Sequence, residues 1–152
     1  MGCLVSSCAK FPVEGYKLIK NDTGCKLIED CCSGMIIYIN FRRGLRYSAG
    51  RITGFAGSIA VTNQRILLYN INFGLEFQIL FENPNIEQLE YGVSKAGKGD
   101  VVYIRLDWNI MFPQDKSQSG KIEYRLRTKD HDRAQEIVNL IQSNIIQSRK
   151  EK

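Results

Sequence analysis

The chain opens Met1-Gly2-Cys3-Leu4-Val5-Ser6, and that order of residue types has a defined chemistry. Once Met1 is removed, the free amine of Gly2 can accept a myristoyl chain, with Ser6 where the acceptor pattern calls for a hydroxyl residue. A single myristoyl chain holds a bilayer only weakly, with an association constant of about 10⁴ M⁻¹. Cys3 offers a thiol for thioester-linked palmitate and Cys8 offers a second, and each buried methylene adds about 0.8 kcal/mol. Gly2, Cys3 and Cys8 are therefore the expected lipidation sites, given a eukaryotic or viral source.

The second chemistry is cationic. Between Asp30 and Glu76 there is no acidic residue, while the same stretch carries Arg42, Arg43, Arg46, Arg51 and Arg65. The net charge of +5 is thus concentrated in residues 31–75. Guanidinium groups fork onto phosphate oxygens in bidentate geometry, and near an anionic leaflet each basic residue contributes about 1 kcal/mol. Arg42, Arg43, Arg46 and Arg51 are the candidate anion ligands, and Lys95 and Lys98, in a glycine-containing turn, extend the basic face. Tyr47 and Phe55 are candidates to insert at headgroup level. Three other readings of the block are a solvated edge strand kept from aggregating by its charge, an acidic protein surface as partner, and nucleic acid as a distant third. Arg65, in Thr62-Asn63-Gln64-Arg65, reads as a structural brace of a hairpin.

Catalysis and metal binding find little support. Cys25, Cys31 and Cys32 lack the paired Cys-x₂-Cys spacing of zinc knuckles, and the one histidine, His131, is remote in sequence. The glycine-rich turn at residues 94–100 lacks the Gly-Lys-Ser/Thr end of a phosphate-binding P-loop. No enzyme activity, metal or cofactor is expected. The start of the chain is too short and polar for a secretory signal, and no apolar run is long enough to span a bilayer. These features predict a reducing compartment, with the five cysteines as free or modified thiols.

The elements that position these residues follow from hydrophobic period. Residues 35–41 are rich in β-branched and aromatic types and read as a strand. Residues 42–54 are broken by Gly44, Gly50 and Gly54, and read as a loop or as a twisted, bulged continuation. Further strands are expected at 58–62, 65–69, 75–81, 86–91, 101–107 and 121–127. Residues 108–120 read as a long loop in which Trp108, Ile110, Met111 and Phe112 make an apolar cluster, for the core or for a partner. From Ala134 the period becomes 3.6, with Ile137, Val138, Ile141 and Ile145 on one face, so a C-terminal amphipathic helix is predicted, capped by Thr128 or Asp130. Residues 1–25 read as an acylated tether in which residues 16–20 form a short strand or pack across the domain, and residues 26–150 read as the folded unit.

The run Gly57-Ser58-Ile59-Ala60-Val61-Thr62-Asn63-Gln64-Arg65-Ile66-Leu67-Leu68-Tyr69 resembles the central hairpin of GRAM and bacterial-type PH-like domains. There a glycine-led strand ends in Thr-Asn-x-Arg and a second apolar strand follows. The resemblance covers about residues 26–148 and includes the order of the glycine-spaced stretch and terminal helix. It implies a PH-like α+β fold: a curved antiparallel sheet or partly open barrel of about seven strands, in two roughly orthogonal layers, capped by one C-terminal helix. It also implies binding of phosphoinositides or proteins. The Lys/Arg-x-Arg headgroup motif of phosphoinositide-binding PH domains is not cleanly present, since Arg42-Arg43 and Arg46 with Arg51 are a looser arrangement, so general attraction to anionic lipid is the expectation. The function expected is a lipid-anchored adaptor on the cytoplasmic face of a membrane. The alternative is a protein-interaction scaffold that the anchor only localises, with a peptide or protein bound along an edge strand or groove.

Overall fold

The axis of the fold is one long strand, β1 (Leu27–Arg43). In the computed structural model, which describes residues 10–24, 26–94 and 100–150, β1 pairs antiparallel with β3 (Arg51–Val61) on one side and β8 (Gln118–Arg127) on the other. The sheet continues through β4 (Arg65–Asn70) to β5 (Gly74–Leu80), and through β7 (Val101–Asp107) to β6 (Glu90–Ser94). The order is β5-β4-β3-β1-β8-β7-β6, with the short β2 (Arg46–Ser48) folded back onto the end of β1. The seven strands of this path form one curled half-barrel. Helix α3 (His131–Lys150) lies against β6, β7 and β3 and buries Ala134, Ile137, Ile141 and Ile145. The Asp130 carboxylate accepts from the Arg133 backbone N–H at 2.8 Å and caps the helix. This is the mostly β arrangement with one C-terminal helix that the hydrophobic pattern predicts, and it is consistent with the PH-like α+β fold that the resemblance implies. Hydrogen bonding runs unbroken across the described strands, so the two layers of the core are halves of one sheet.

Bulges decide which side chains face the core. Leu27 packs against the main core and Ile28 against the outer face of the sheet. The register then slips between Glu29 and Cys32, where Cys31 has a positive φ of 60°, and from there the even-numbered Cys32, Ile36 and Tyr38 face inward. A second slip falls between Tyr38 and Asn40, and Phe41 faces inward at 1% exposure. One extra residue reverses every facing that follows. Gly120 makes the second slip possible: its φ is +97°, and a Cβ there would lie 1.7 Å from the Asn40 carbonyl oxygen.

The sequence reading departs from the structure in several elements. Of the two readings of residues 42–54, the strand continuation holds rather than the loop: they form the end of β1, β2 and the start of β3, joined by tight glycine turns. Ile86–Gln88 is a 3₁₀ turn, so β6 starts later than expected. The segment after β7 contains α2 (Trp108–Met111), and Trp108 and Met111 are core residues. Residues 16–20 form no strand but pack across the domain, the other expectation, as part of a helix, α1 (Val13–Asn21). Phe11 and Ile19 pack with Ala60 and Leu67 on the outer face of β3 and β4.

Helix α1 is fastened at its far end. Arg65 donates to both Asp22 carboxylate oxygens at 2.9 Å, and the Thr62 hydroxyl donates to Asp22 at 2.5 Å. Asp22 is 2% exposed. Arg65 is thus the brace the sequence suggested, and it also clasps the helix. Removing one partner of a buried, forked ion pair strands the other charge. Asp22→Ala is therefore expected to lower unfolding free energy by about 3 kcal/mol, read from urea titration, with Arg65→Ala costing much less in the Asp22→Ala background than alone.

Candidate functional site

The second bulge places Arg43 on the concave face, in line with Phe41, and turns Arg42 to the opposite face. The β1–β2 register sets Arg46 opposite Arg43 and Ser48 opposite Phe41. The β1–β3 register sets Arg51 opposite Tyr38 and Thr53 opposite Ile36. Residues opposite one another share a face. The result is a cleft of about 140 Å³ at the end of the half-barrel, lined by Arg43, Arg46 and Arg51, by Ser48 and Thr53, and by the Tyr38, Phe41 and Phe73 rings. Phe73 comes from the β4–β5 turn, and the Arg43 guanidinium lies 5.1 Å from the centre of its ring.

The arginines are not equivalent. Arg43 donates to Gln118 Oε1 at 2.9 Å and lies 3.6 Å from Glu76 Oε2. Glu76 is the residue that a third bulge leaves out of the β4–β5 ladder, since Leu68 pairs with Phe77 and Tyr69 with Leu75. It turns under the cleft, where its side chain is 5% exposed. Burial pushes its carboxyl up, against the Arg43 charge and the neighbouring Tyr124 hydroxyl and Asn70 amide. Glu76 Oε1, the Tyr124 hydroxyl and Asn70 Nδ2 are buried without a hydrogen bond of standard geometry, so the help from Tyr124 and Asn70 is electrostatic. Arg46 and Arg51 are exposed and have no acidic partner among the described residues.

Of the sequence candidates, Arg43, Arg46 and Arg51 come together. Arg42 instead lies 5.7 Å from the centre of the Tyr47 ring, outside the cleft. Tyr47 is exposed and its hydroxyl donates to Asn40. Phe55, expected at the surface, is 8% exposed: its ring lies over Gly34 and Gly57, where any Cβ would collide with it. Gly2, Cys3, Cys8, Cys25, Lys95 and Lys98 lie outside the described residues. Sequence reading missed Glu76 and Phe73, because Glu76 looks outward-facing in the alternation of β5 and Phe73 looks like a turn residue. Leu45, at the tip of the β1–β2 hairpin, was missed too and is fully exposed.

The cysteines also differ from expectation. Cys31 is disulfide-bonded, not a free thiol; the bulge swings it out of the sheet to the surface. Cys32 is free and 2% exposed, and burial, then the Glu29 and Asp30 charges, pushes its thiol up to about 12. Such a thiol is no nucleophile at neutral pH. His131 is exposed, with Nδ1 2.9 Å from Asp100 Oδ1. No cluster of three metal-ligating side chains occurs among the described residues, and no described helix is long and apolar enough to cross a membrane.

No protein-family profile and no curated protein matches the chain. A solved structure titled "The 8S snRNP Assembly Intermediate" contains a similar chain, at 13% identity over 80% of this chain and 92% of that one, with a TM-score of 0.42. A likeness at that level carries no argument about activity or partners.

Two outcomes follow from the buried groups. Because the Glu76 carboxyl is raised by folding, the folded state holds that proton more tightly. The associated stability is complete below the ordinary carboxylate range and is lost as pH rises through the raised value. Glu76→Gln should therefore melt progressively higher than the parent as pH increases from about 4 to about 8, in parallel thermal scans. Cys32 should resist a thiol-reactive dye in the native chain and react at once in denaturant.

Proposed function

We propose that this protein is a peripheral membrane module: an acylated amino end tethers a PH-like domain, and the arginine-lined end of the domain contacts anionic lipid at a cytoplasmic surface. The observation that carries this reading is the composition of one end of the half-barrel. Arg46 and Arg51, with no acidic partner among the described residues, stand there beside Leu45 at full exposure and Phe73 at 58% exposure. Cations flanked by exposed apolar tips suit an interface in which charge meets headgroups and apolar side chains enter the acyl boundary.

The course of α1 adds support. Phe11 lies 6.2 Å from the Tyr69 ring, at the end of β4 that leads into the Phe73 turn, while Asp22 reaches Arg65 at the other end. The chain therefore enters the domain on the side of the cleft. Residues 1–9 extended at about 3.3 Å each reach roughly 30 Å, more than enough for acyl chains on Gly2 and Cys3 to share a leaflet with the arginines. The Cys31 disulfide weighs the other way, since such bonds are rare in reducing compartments. The reading requires that bond to be reduced or shielded in the cell.

Intact mass of the chain from a eukaryotic cell reports the acyl chains and the disulfide together, and myristate plus palmitate is the expected addition. Gly2→Ala should release the protein from membranes in cell fractionation. In the unacylated chain, Arg46→Glu with Arg51→Glu should reduce binding to anionic vesicles by about tenfold or more at low salt, at about 1 kcal/mol per charge removed. The loss should shrink as salt is raised. A bare amino end, or vesicle binding indifferent to the arginines, would contradict the proposal.

A further inference from the structure

We propose that the cleft between Arg43, Arg46 and Arg51 is a receptor for one phosphomonoester group, presented by a singly phosphorylated lipid, rather than a general patch for negative charge. This rests on the membrane reading and narrows it to a headgroup chemistry.

The charge count comes first. Glu76 lies beneath Arg43 and offsets it, whereas Arg46 and Arg51 have no acidic partner among the described residues. The cleft presents about two uncompensated guanidinium groups. A phosphomonoester carries about −1.5 to −2 at neutral pH, and its three terminal oxygens can accept from both forks at once. A phosphodiester or a serine carboxylate brings less charge and fewer oxygens. Ser48 and Thr53 line the same cleft with hydroxyls able to serve the remaining oxygen sites.

The volume is the second constraint. About 140 Å³ is ample room for a single phosphate group. The third constraint is the rim. Leu45 and Phe73 stand exposed beside the opening, which suits a phosphate close to the acyl boundary, as on a lipid with no bulky headgroup.

The test uses the full chain carrying Gly2→Ala, so that no acyl anchor masks the cleft. Vesicles of phosphatidylcholine doped with phosphatidic acid are compared with vesicles doped with phosphatidylserine to the same surface charge. Glycerol 3-phosphate serves as the soluble probe, followed by the arginine side-chain NMR resonances. The expected result is binding about tenfold tighter to the phosphatidic acid vesicles, with that preference abolished by Arg46→Gln and Arg51→Gln. Both side chains are exposed, so unchanged melting temperatures will show that the fold is intact. Glu76→Gln, which frees Arg43, should raise binding to both vesicles and narrow the preference between them. Equal binding to the two vesicles overturns the monoester proposal and leaves the general anionic-surface reading standing. Shifts with glycerol 3-phosphate but no vesicle binding uphold the monoester chemistry and overturn the lipid source. Failure of all three probes overturns both readings.

Discussion

The arrangement depends on a count of residues in one strand. β1 holds the centre of the sheet, and its side chains must alternate between core and surface along seventeen residues of strongly curved backbone. Strict alternation from Leu27 would put Ile36 and Tyr38 outside and would turn Met35, Ile37 and Ile39 inward in their place. Two inserted residues reset the alternation, so that Cys32, Ile36, Tyr38 and Phe41 all reach the interior. Each bulge also adds twist, which helps one continuous sheet to curl into a half-barrel. Arg43 lines the cleft only because Phe41 had to be buried. The placement of the cation is a by-product of packing, held by a glycine at position 120 that no other residue can replace without displacing the Asn40 carbonyl.

Two buried carboxylates show opposite ways of treating a charge in the interior. Asp22 is fully engaged: a forked arginine and a hydroxyl satisfy its oxygens, and the group serves only to hold α1. Glu76 is left partly unserved, with one oxygen, one amide and one phenol crowded together without good hydrogen bonds. Buried polar groups are ordinarily satisfied, because an unpaired one costs about 1–3 kcal/mol. The arginine that could relieve this strain is the one at the edge of the cleft, and it divides its donors between Glu76 and Gln118.

Much of the fold was legible because hydrophobic period is a strong signal. The hairpin at Ile59 and Ile66 and the stripe of α3 were readable from spacing alone. The losses have specific physical causes. Helix α1 is one short segment that buries only Gly15 and Ile19, with Phe11 packing from just before it, too few apolar positions to show a stripe. Arg42 and Arg43 are adjacent and identical in type, so only the register slip at Ile39 tells which one turns inward. Phe55 looked exposed because it sits among glycines, yet those glycines are the flat floor that lets its ring lie down. Glu76 could not have been found by alternation, since a bulge is a break in alternation.

The clasp between Asp22 and Arg65 also has a mechanical meaning. A pull on the amino end enters the folded unit at Phe11, passes along α1, and arrives at a two-pronged bond anchored in β4. Because the helix lies along that strand, with Phe11 near Tyr69 and Asp22 near Arg65, the load is borne in shear across several contacts together rather than peeled away one by one. A domain strung in this way meets tension at its leading end on β3 and β4, the strands that also lead to Arg51, Thr53 and Phe73 at the cleft.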